Sequence, residues 1–345
     1  MILAGIDEAG YGPLLGPLVV GCCAFEIADG DPFAGELPCL WKRLRKLVSK
    51  NRTKAGKKLH VNDSKLVYSS GLGVKELERS ILAILATIRA DACSEHACGE
   101  HACSGHSRGE HTCDELDTLL ARVAGHAVPD LRGYPWYLPQ PGERFPLEQD
   151  LTPIRLFANA LRAEMDKASL RCVHLAARVV PERQFNKMVD ATRNKGSALF
   201  STAVVHLDHL IRTYGDKGLV IFCDRQGGRE HYGSLLRLMF EDWSLEVTRE
   251  RDGHSEYKLL RGPHVVRVIF CEKAEAQCMP VALASMLSKY LREALMGRFN
   301  AYWKTMLPDV TPTAGYYSDG TRFLQDIDVK RRELGIADEE LIRSR

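Results

Sequence analysis

The first 25 residues constrain the fold more than any other part of the chain. Ile2-Leu3-Ala4-Gly5-Ile6 is a short apolar run that stops abruptly at Asp7-Glu8. Gly10, Gly12, Pro13, Gly16 and Pro17 follow, and a second apolar run covers Leu18 to Phe25. Short apolar runs separated by glycine and proline read as buried strands joined by a turn, which predicts an antiparallel pair. That pair leaves two acids at the end of a buried strand.

The later segments alternate in type. Val74, Leu77, Ile81, Leu85 and Ile88 recur at helical spacing, with Ser69 or Ser70 as cap. Thr152-Pro153 opens a second helix carrying Phe157, Leu161 and Met165. Val173 to Val180 is strand-like, and Ser197 to Tyr214 is a helix facing inward through Phe200, Val204, Leu207 and Ile211. Leu219 to Cys223 is a buried strand ending at Asp224. A hairpin around Asp252-Gly253 leads into a strand from Val265 to Cys271, which ends in Glu272-Lys273-Ala274-Glu275. Pro280 then starts a helix with Leu283, Leu287, Tyr290 and Leu291 inside. Antiparallel strands first, then strands alternating with helices, predict a mixed α/β sheet covered by helices.

Composition narrows the class. The 345 residues are 45% hydrophobic and 27% charged, which excludes a disordered or fibrous chain. The net charge of +2 gives no overall positive field, yet nine Lys or Arg residues crowd between Lys42 and Lys58. That run reads equally as a solvated face and as a phosphate-tracking surface, with Trp41 as a packing anchor. The apolar stretch from Pro13 to Phe25 is too short for a bilayer and is broken by glycine and proline, so no membrane partner is expected. The N-terminus lacks a secretory pattern, so a cytoplasmic protein with its eleven cysteines reduced is expected, and a monomer is expected with it.

One tract stands apart. CSEHACGEHACSGHSRGEHTC, from Cys93 to Cys113, repeats a five-residue unit rich in Cys and His. It supplies soft ligands for Zn²⁺ without the paired C-x₂-C spacing of a structural site, so it reads first as an insertion that binds metal opportunistically. The Pro/Gly-rich segment GYPWYLPQPGERFP after it reads as a surface loop. The expected organisation is a catalytic core from residues 1–92 and 151–330, an insertion at 93–150, and a helical extension at 331–345.

Three buried-looking strands end in acids: Asp7-Glu8, Asp224, and Glu272 with Glu275. An acid at a strand end is ordinary, because a chain leaving the core turns polar. If the strands are neighbours, however, four carboxylates share a small volume and repel. Divalent cations with oxygen ligands relieve that repulsion, and two of them about 3.5–4 Å apart form a clamp for phosphodiester hydrolysis.

GIDEAGYGPLLGPLVVG resembles the opening motif GIDEAGRGP of the type 2 ribonuclease H family, ribonucleases HII and HIII. Asn62-Asp63-Ser64-Lys65-Leu66 resembles the family's DSK element, and LVIFCD resembles the strand ending in its third catalytic acid. KAEAQCMPVALASMLSKYLRE resembles the segment carrying the fourth, and Ala314-Gly315-Tyr316 resembles a late GY element. The resemblance covers both ends and the middle of the chain, leaving roughly residues 93–150 outside. It implies a ribonuclease H-like fold with a five-stranded mixed sheet. It also implies hydrolysis of RNA in RNA–DNA hybrids with two Mg²⁺ or Mn²⁺ ions, leaving a 5′-phosphate and a 3′-hydroxyl. Asp7, Glu8, Asp224 and Glu275 would be the catalytic and metal-binding acids, with Asp7 bridging the ions. Gly10, Tyr11, Gly12, Lys65 and Tyr316 would contact substrate, Lys65 at a phosphate and Tyr316 beneath a sugar.

The sequence departs from the family at three of these places. Tyr11 stands where the family has arginine, which removes a bidentate phosphate donor. Glu275 replaces an aspartate, and Asp224 is followed by Arg225-Gln226-Gly227-Gly228 rather than Asp-Gly. The expected consequence is weaker discrimination between ribo- and deoxyribonucleotides. Two other readings remain at this point: a related nuclease with altered substrate preference, and a non-catalytic nucleic-acid-binding member of the fold.

Overall fold

The computed structural model describes residues 1–69, 71–88 and 115–344, so the Cys93–Cys113 tract lies outside the described residues. Its centre is one mixed sheet built on the N-terminal pair. β1 (Ile2–Ala9) runs antiparallel to β2 (Leu18–Ile27), with Ile2 opposite Glu26 and Ala9 opposite Val19. Two short strands, β3 (Val48–Ser49) and β4 (Leu59–His60), pair separately. β5 (Leu170–Val180) lies antiparallel on the far side of β2. β6 (Leu219–Asp224) is parallel to β1. β7 (Ser244–Arg251), β8 (His254–Arg261) and β9 (His264–Cys271) complete the sheet, with β9 parallel to β6.

The order β5-β2-β1-β6-β9-β8-β7 makes seven strands where five were expected. The expected five are the part from β5 to β9, and the β7–β8 hairpin extends the edge beyond β9. The hairpin forms where the sequence places it, because Asp252 and Gly253 both take the positive φ that a tight turn demands. It joins the sheet because β8 buries alternate residues, Ser255, Tyr257 and Leu259, giving it one face to pack.

Alternation in β1 divides the core. Ile2, Ala4 and Ile6 face one apolar layer with the helices Glu182–Thr192 and Lys195–Tyr214. Leu3 faces the other, with the helices Lys75–Thr87, Leu151–Lys167 and Met279–Met306. The last of these lies almost on the strands. A Cβ on Gly5 would collide with the backbone of Val281, and one on Gly21 with the carbonyl of Ala284. Two strand glycines thus set the height of the helix above the sheet. The helix at Lys75–Thr87 starts later than its serine signal suggested, and the Val74 N–H at its entry donates to Glu148 Oε1 at 3.0 Å.

The segment read as a surface loop is part of the core. Leu116, Leu119 and Leu120 of the helix Leu116–Ala124, together with Trp136 and Tyr137, belong to the same apolar layer as the sheet. Trp136 stacks edge-on against Phe299 and Tyr302 of the long helix, each 6.2 Å away. Arg298 binds the Tyr137 carbonyl at 2.9 Å, Glu143 at 3.0 Å and Asp117 at 2.6 Å. Buried Glu78 accepts three successive N–H groups, from Leu147, Glu148 and Gln149. Proline and glycine made this stretch look like punctuation, but its aromatic residues carry enough apolar area to pull it inside. The extension at 331–345 is also only partly helical. Helices end at Glu333 and Leu341, and the chain then runs to a buried Arg343.

Trp136→Ala should therefore cost about 3–5 kcal/mol of unfolding free energy, as a large core truncation does. Urea denaturation measures this directly, and a loss under about 0.5 kcal/mol, the surface range, would return the segment to the status of a loop.

Candidate active site

The parallel register brings the acids together. Ile6 of β1 pairs with Cys223 of β6, so Asp7 and Asp224 stand next to each other just past the point where the pairing of those two strands ends. Asp224 in turn pairs with Cys271, the last residue of β9, and the turn after it leads to Glu275 on the short helix Ala274–Gln277. The Ala274 N–H donates to Asp224 Oδ1 at 3.2 Å, which ties that helix to the end of β6. Ser288 of the long helix donates to the Asp7 carbonyl at 3.1 Å.

The carboxyls feel one another. Burial raises Asp7 well above the usual carboxylate range, and Glu8 and Asp224 push it further. Burial, then Asp224, raises Glu8 to about 7. Asp224 is raised by burial, and Glu275 by burial and then by Asp224. Lys65 opposes the rise at Glu8, Asp224 and Glu275, so it stands among the acids. All five charged residues expected at the centre share one electrostatic field. Glu272 does not, because it turns out to an ion pair with Arg225 at 2.7 Å.

The carboxylates are nevertheless spread. Among the described residues no three of them bring ligand oxygens within 4.8 Å of one another. Like charges in a poorly solvated site hold apart until a cation screens them. The donor set suits such a cation: carboxylate oxygens are hard ligands of the kind Mg²⁺ and Mn²⁺ take. Asp63 is an acid that the sequence reading passed over. Its side chain accepts from the Lys65 N–H at 2.9 Å at the start of the short helix Ser64–Val67, and its charge raises Asp224 and Glu275. Its signal was available as an N-cap aspartate next to Ser64 and Lys65.

The turn after β1 lies beside these acids. Gly10 has φ +84°, and a Cβ there would meet Arg292 Nε and the Pro17 carbonyl at 2.6 Å, so only glycine fits. Gly12 is different, since a Cβ there meets nothing within 4 Å. Arg343, from the last residues of the chain, donates to the carbonyls of Gly10 and Tyr11, and its backbone N–H donates to Leu14. Its guanidinium lies 3.9 Å from the centre of the Phe185 ring. The C-terminal strap thus braces the turn from below, a role that no local motif announces.

Tyr11 reaches towards Gly196, Gly227 and Lys195, and the charges of both Glu8 and Arg229 act on its hydroxyl. Its hydroxyl lies 3.2 Å from where a Gly227 Cβ would stand, and Lys195 Nζ is 5.4 Å from its ring centre. Two cations therefore flank the residue that lacks the family's guanidinium. Tyr316 is half exposed over Arg292, whose Cζ is 5.7 Å from the ring centre. The carbonyl of Gly315 accepts from Leu14 and Leu15, which docks the late GY element on the same turn.

No family model matches the sequence. Over 78 residues the chain is 44% identical to ribonuclease HII of Chlamydia abortus (strain DSM 27085 / S26/3), a match covering 23% of this chain and 32% of the relative. The matched stretch thus spans about a third of that relative's length. The structure of ribonuclease H2 from Pyrococcus horikoshii OT3 aligns over 99% of this chain and 92% of its own, at 14% identity and TM-score 0.44. The RNase HII in the PCNA:RNase HII complex from Archaeoglobus fulgidus aligns over 100% and 95%, at 16% identity and TM-score 0.41. Over the 78-residue stretch the chain is similar to ribonuclease HII, in keeping with the motifs that resemble the type 2 ribonuclease H family.

Raised carboxyl pKa values have a consequence for stability. The folded chain binds protons more tightly than the unfolded one, so stability falls as pH rises through the shifted range. For Glu8 the penalty is absent below its ordinary value of 4.5, grows towards about 7 and is complete above it. Thermal unfolding in chelator should show this decline, and Asp7→Asn should flatten it by deleting one of the repelling charges. Parallel declines in the two proteins would contradict a shared field.

Proposed function

We propose that the chain is a metal-dependent endonuclease that hydrolyses the RNA strand of RNA–DNA hybrids, leaving 5′-phosphate and 3′-hydroxyl ends. The observation that supports this reading is that Asp7, Glu8, Asp224 and Glu275, on neighbouring strands or just beyond them, act on one another through their charges, with Lys65 among them. A binding module has no reason to bury acids beside a phosphate backbone. Two Mg²⁺ or Mn²⁺ ions held by these acids would supply Lewis acidity and a nucleophilic water at neutral pH.

The remaining roles belong to the protein. Asp7, whose carboxyl both Glu8 and Asp224 push up, would be one of the acids that hold the ions. Lys65 offsets negative charge where a scissile phosphate would sit. The braced Gly10–Tyr11 backbone offers fixed dipoles to a sugar edge, and the exposed ring of Tyr316 offers it a flat apolar face.

Asp7→Asn should abolish Mg²⁺- or Mn²⁺-dependent cleavage of a hybrid while leaving cooperative unfolding intact. Near-normal cleavage by that variant would overturn the assignment.

A second reading, altered substrate preference, is favoured by one observation: Tyr11 turns into a pocket with Lys195 and Arg229 instead of presenting a guanidinium at the turn. Those cations contact phosphates regardless of sugar. The protein should then cleave duplexes with and without a ribonucleotide at less divergent rates than a strict ribonuclease, and Tyr11→Arg should widen the ratio. Strict ribonucleotide dependence, unchanged by the arginine, would show that the backbone alone reads the 2′-hydroxyl.

A further inference from the structure

A second group of ligating side chains lies on the opposite face of the sheet, among the aliphatic residues under the helix Lys195–Tyr214. Cys22 of β2, His174 of β5 and His206 of that helix each offer a ligand atom, and the three atoms lie within 4.8 Å of one another. The register explains the meeting. Cys22 pairs with Ala176 and Ala24 with His174, so Cys22 and His174 are diagonal neighbours on one face of an antiparallel pair. His206 comes down on them from the helix above.

We propose that Cys22, His174 and His206 form a structural zinc site that clips the helix Lys195–Tyr214 to β2 and β5. The ligand set is one thiol and two imidazoles from three separate elements, the soft and borderline donors that Zn²⁺ selects. Zn–N and Zn–S bonds of about 2.0–2.3 Å put tetrahedral ligands about 3.3–3.8 Å apart, so the three atoms, within 4.8 Å of one another, need close by about 1.5 Å at most.

Two further observations point to a ligand. His174 Nε2 is buried and has no hydrogen-bond partner, and leaving such a nitrogen unpaired costs about 1–3 kcal/mol. His206 Nε2 lies 3.0 Å from the Val20 carbonyl, the outer hydrogen bond that metal-bound histidines make, which leaves Nδ1 for a metal. His209 stacks on His174 with ring centres 4.5 Å apart, and a water would complete the fourth position. The Cys22 thiol, raised by burial, would release its proton to solvent as the Zn–S bond forms.

The site is independent of the nuclease reading. It lies across the sheet from the long helix that packs over the acids, and it uses none of them. It also differs in kind from the pentad tract, because its ligands come from three packed elements rather than one repeat.

The test is a Co²⁺ titration of the full-length, chelator-stripped and reduced chain, reading the thiolate-to-cobalt charge-transfer absorption that carboxylate sites do not give. Cys22→Ala and His206→Gln are the comparisons. Alanine is small enough for the buried position, and glutamine keeps a donor towards the Val20 carbonyl. The Cys93–Cys113 tract contributes the same background in each protein. The unmodified chain should bind one more equivalent in this band than either variant, and Zn²⁺ should displace that equivalent. Equal stoichiometry in the unmodified chain and either folded variant would overturn the proposal.

Discussion

Three parallel strand ends that deliver acids to one place are the constraint on which the rest of this structure depends. β1, β6 and β9 are hydrogen-bonded in register, so Asp7 and Asp224 stand where the β1–β6 pairing ends and Glu275 follows four residues after β9. Backbone pairing is strong enough to hold the carboxyls near one another against their repulsion, and the cost appears as raised proton affinity. Burial is the largest contribution at each acid, with neighbouring charge second or later. A site of this kind is poised to exchange protons for divalent cations.

The surrounding architecture serves that arrangement. Gly5 and Gly21 let the helix Met279–Met306 settle against β1 and β2, which brings Ser288 to the Asp7 carbonyl and Arg292 beneath Gly10. Arg292 also binds the carbonyls of Leu15 and Ala314, linking the turn to the late GY element. Arg343 completes the brace from the other end of the chain. The turn that carries Tyr11 is therefore held by residues almost the full length of the sequence apart, and its conformation reports on the integrity of the whole fold.

Much of this was legible in the sequence, and the parts that were not share a physical cause. The N-terminal pair, the strand at Leu219 and the acids beyond it could be read because apolar runs and their punctuation are local signals. Glu275 and Lys65 were legible through motif order, and the structure sets both beside Asp224. Trp136 was misread because proline and glycine dominate its neighbourhood, while its partners Phe299 and Tyr302 lie far along the chain. The hairpin around Asp252 was foreseen as a turn, yet nothing local said that it would add two strands to the sheet. Arg343 was out of reach altogether, since its meaning lies in carbonyls more than three hundred residues away. Asp63 could have been found from its capping position but was outweighed by the acids at strand ends.

The central claim is that these acids form one site whose burial and repulsion a divalent cation relieves. Calorimetry of Mn²⁺ binding in buffers of different ionisation enthalpy tests it most directly, because it counts the protons released per ion bound. At about pH 6 the account predicts net proton release, shrinking as pH rises past about 7, where Glu8 has lost its proton. Binding that releases no protons at about pH 6, or that persists unchanged in Asp224→Asn, would contradict it.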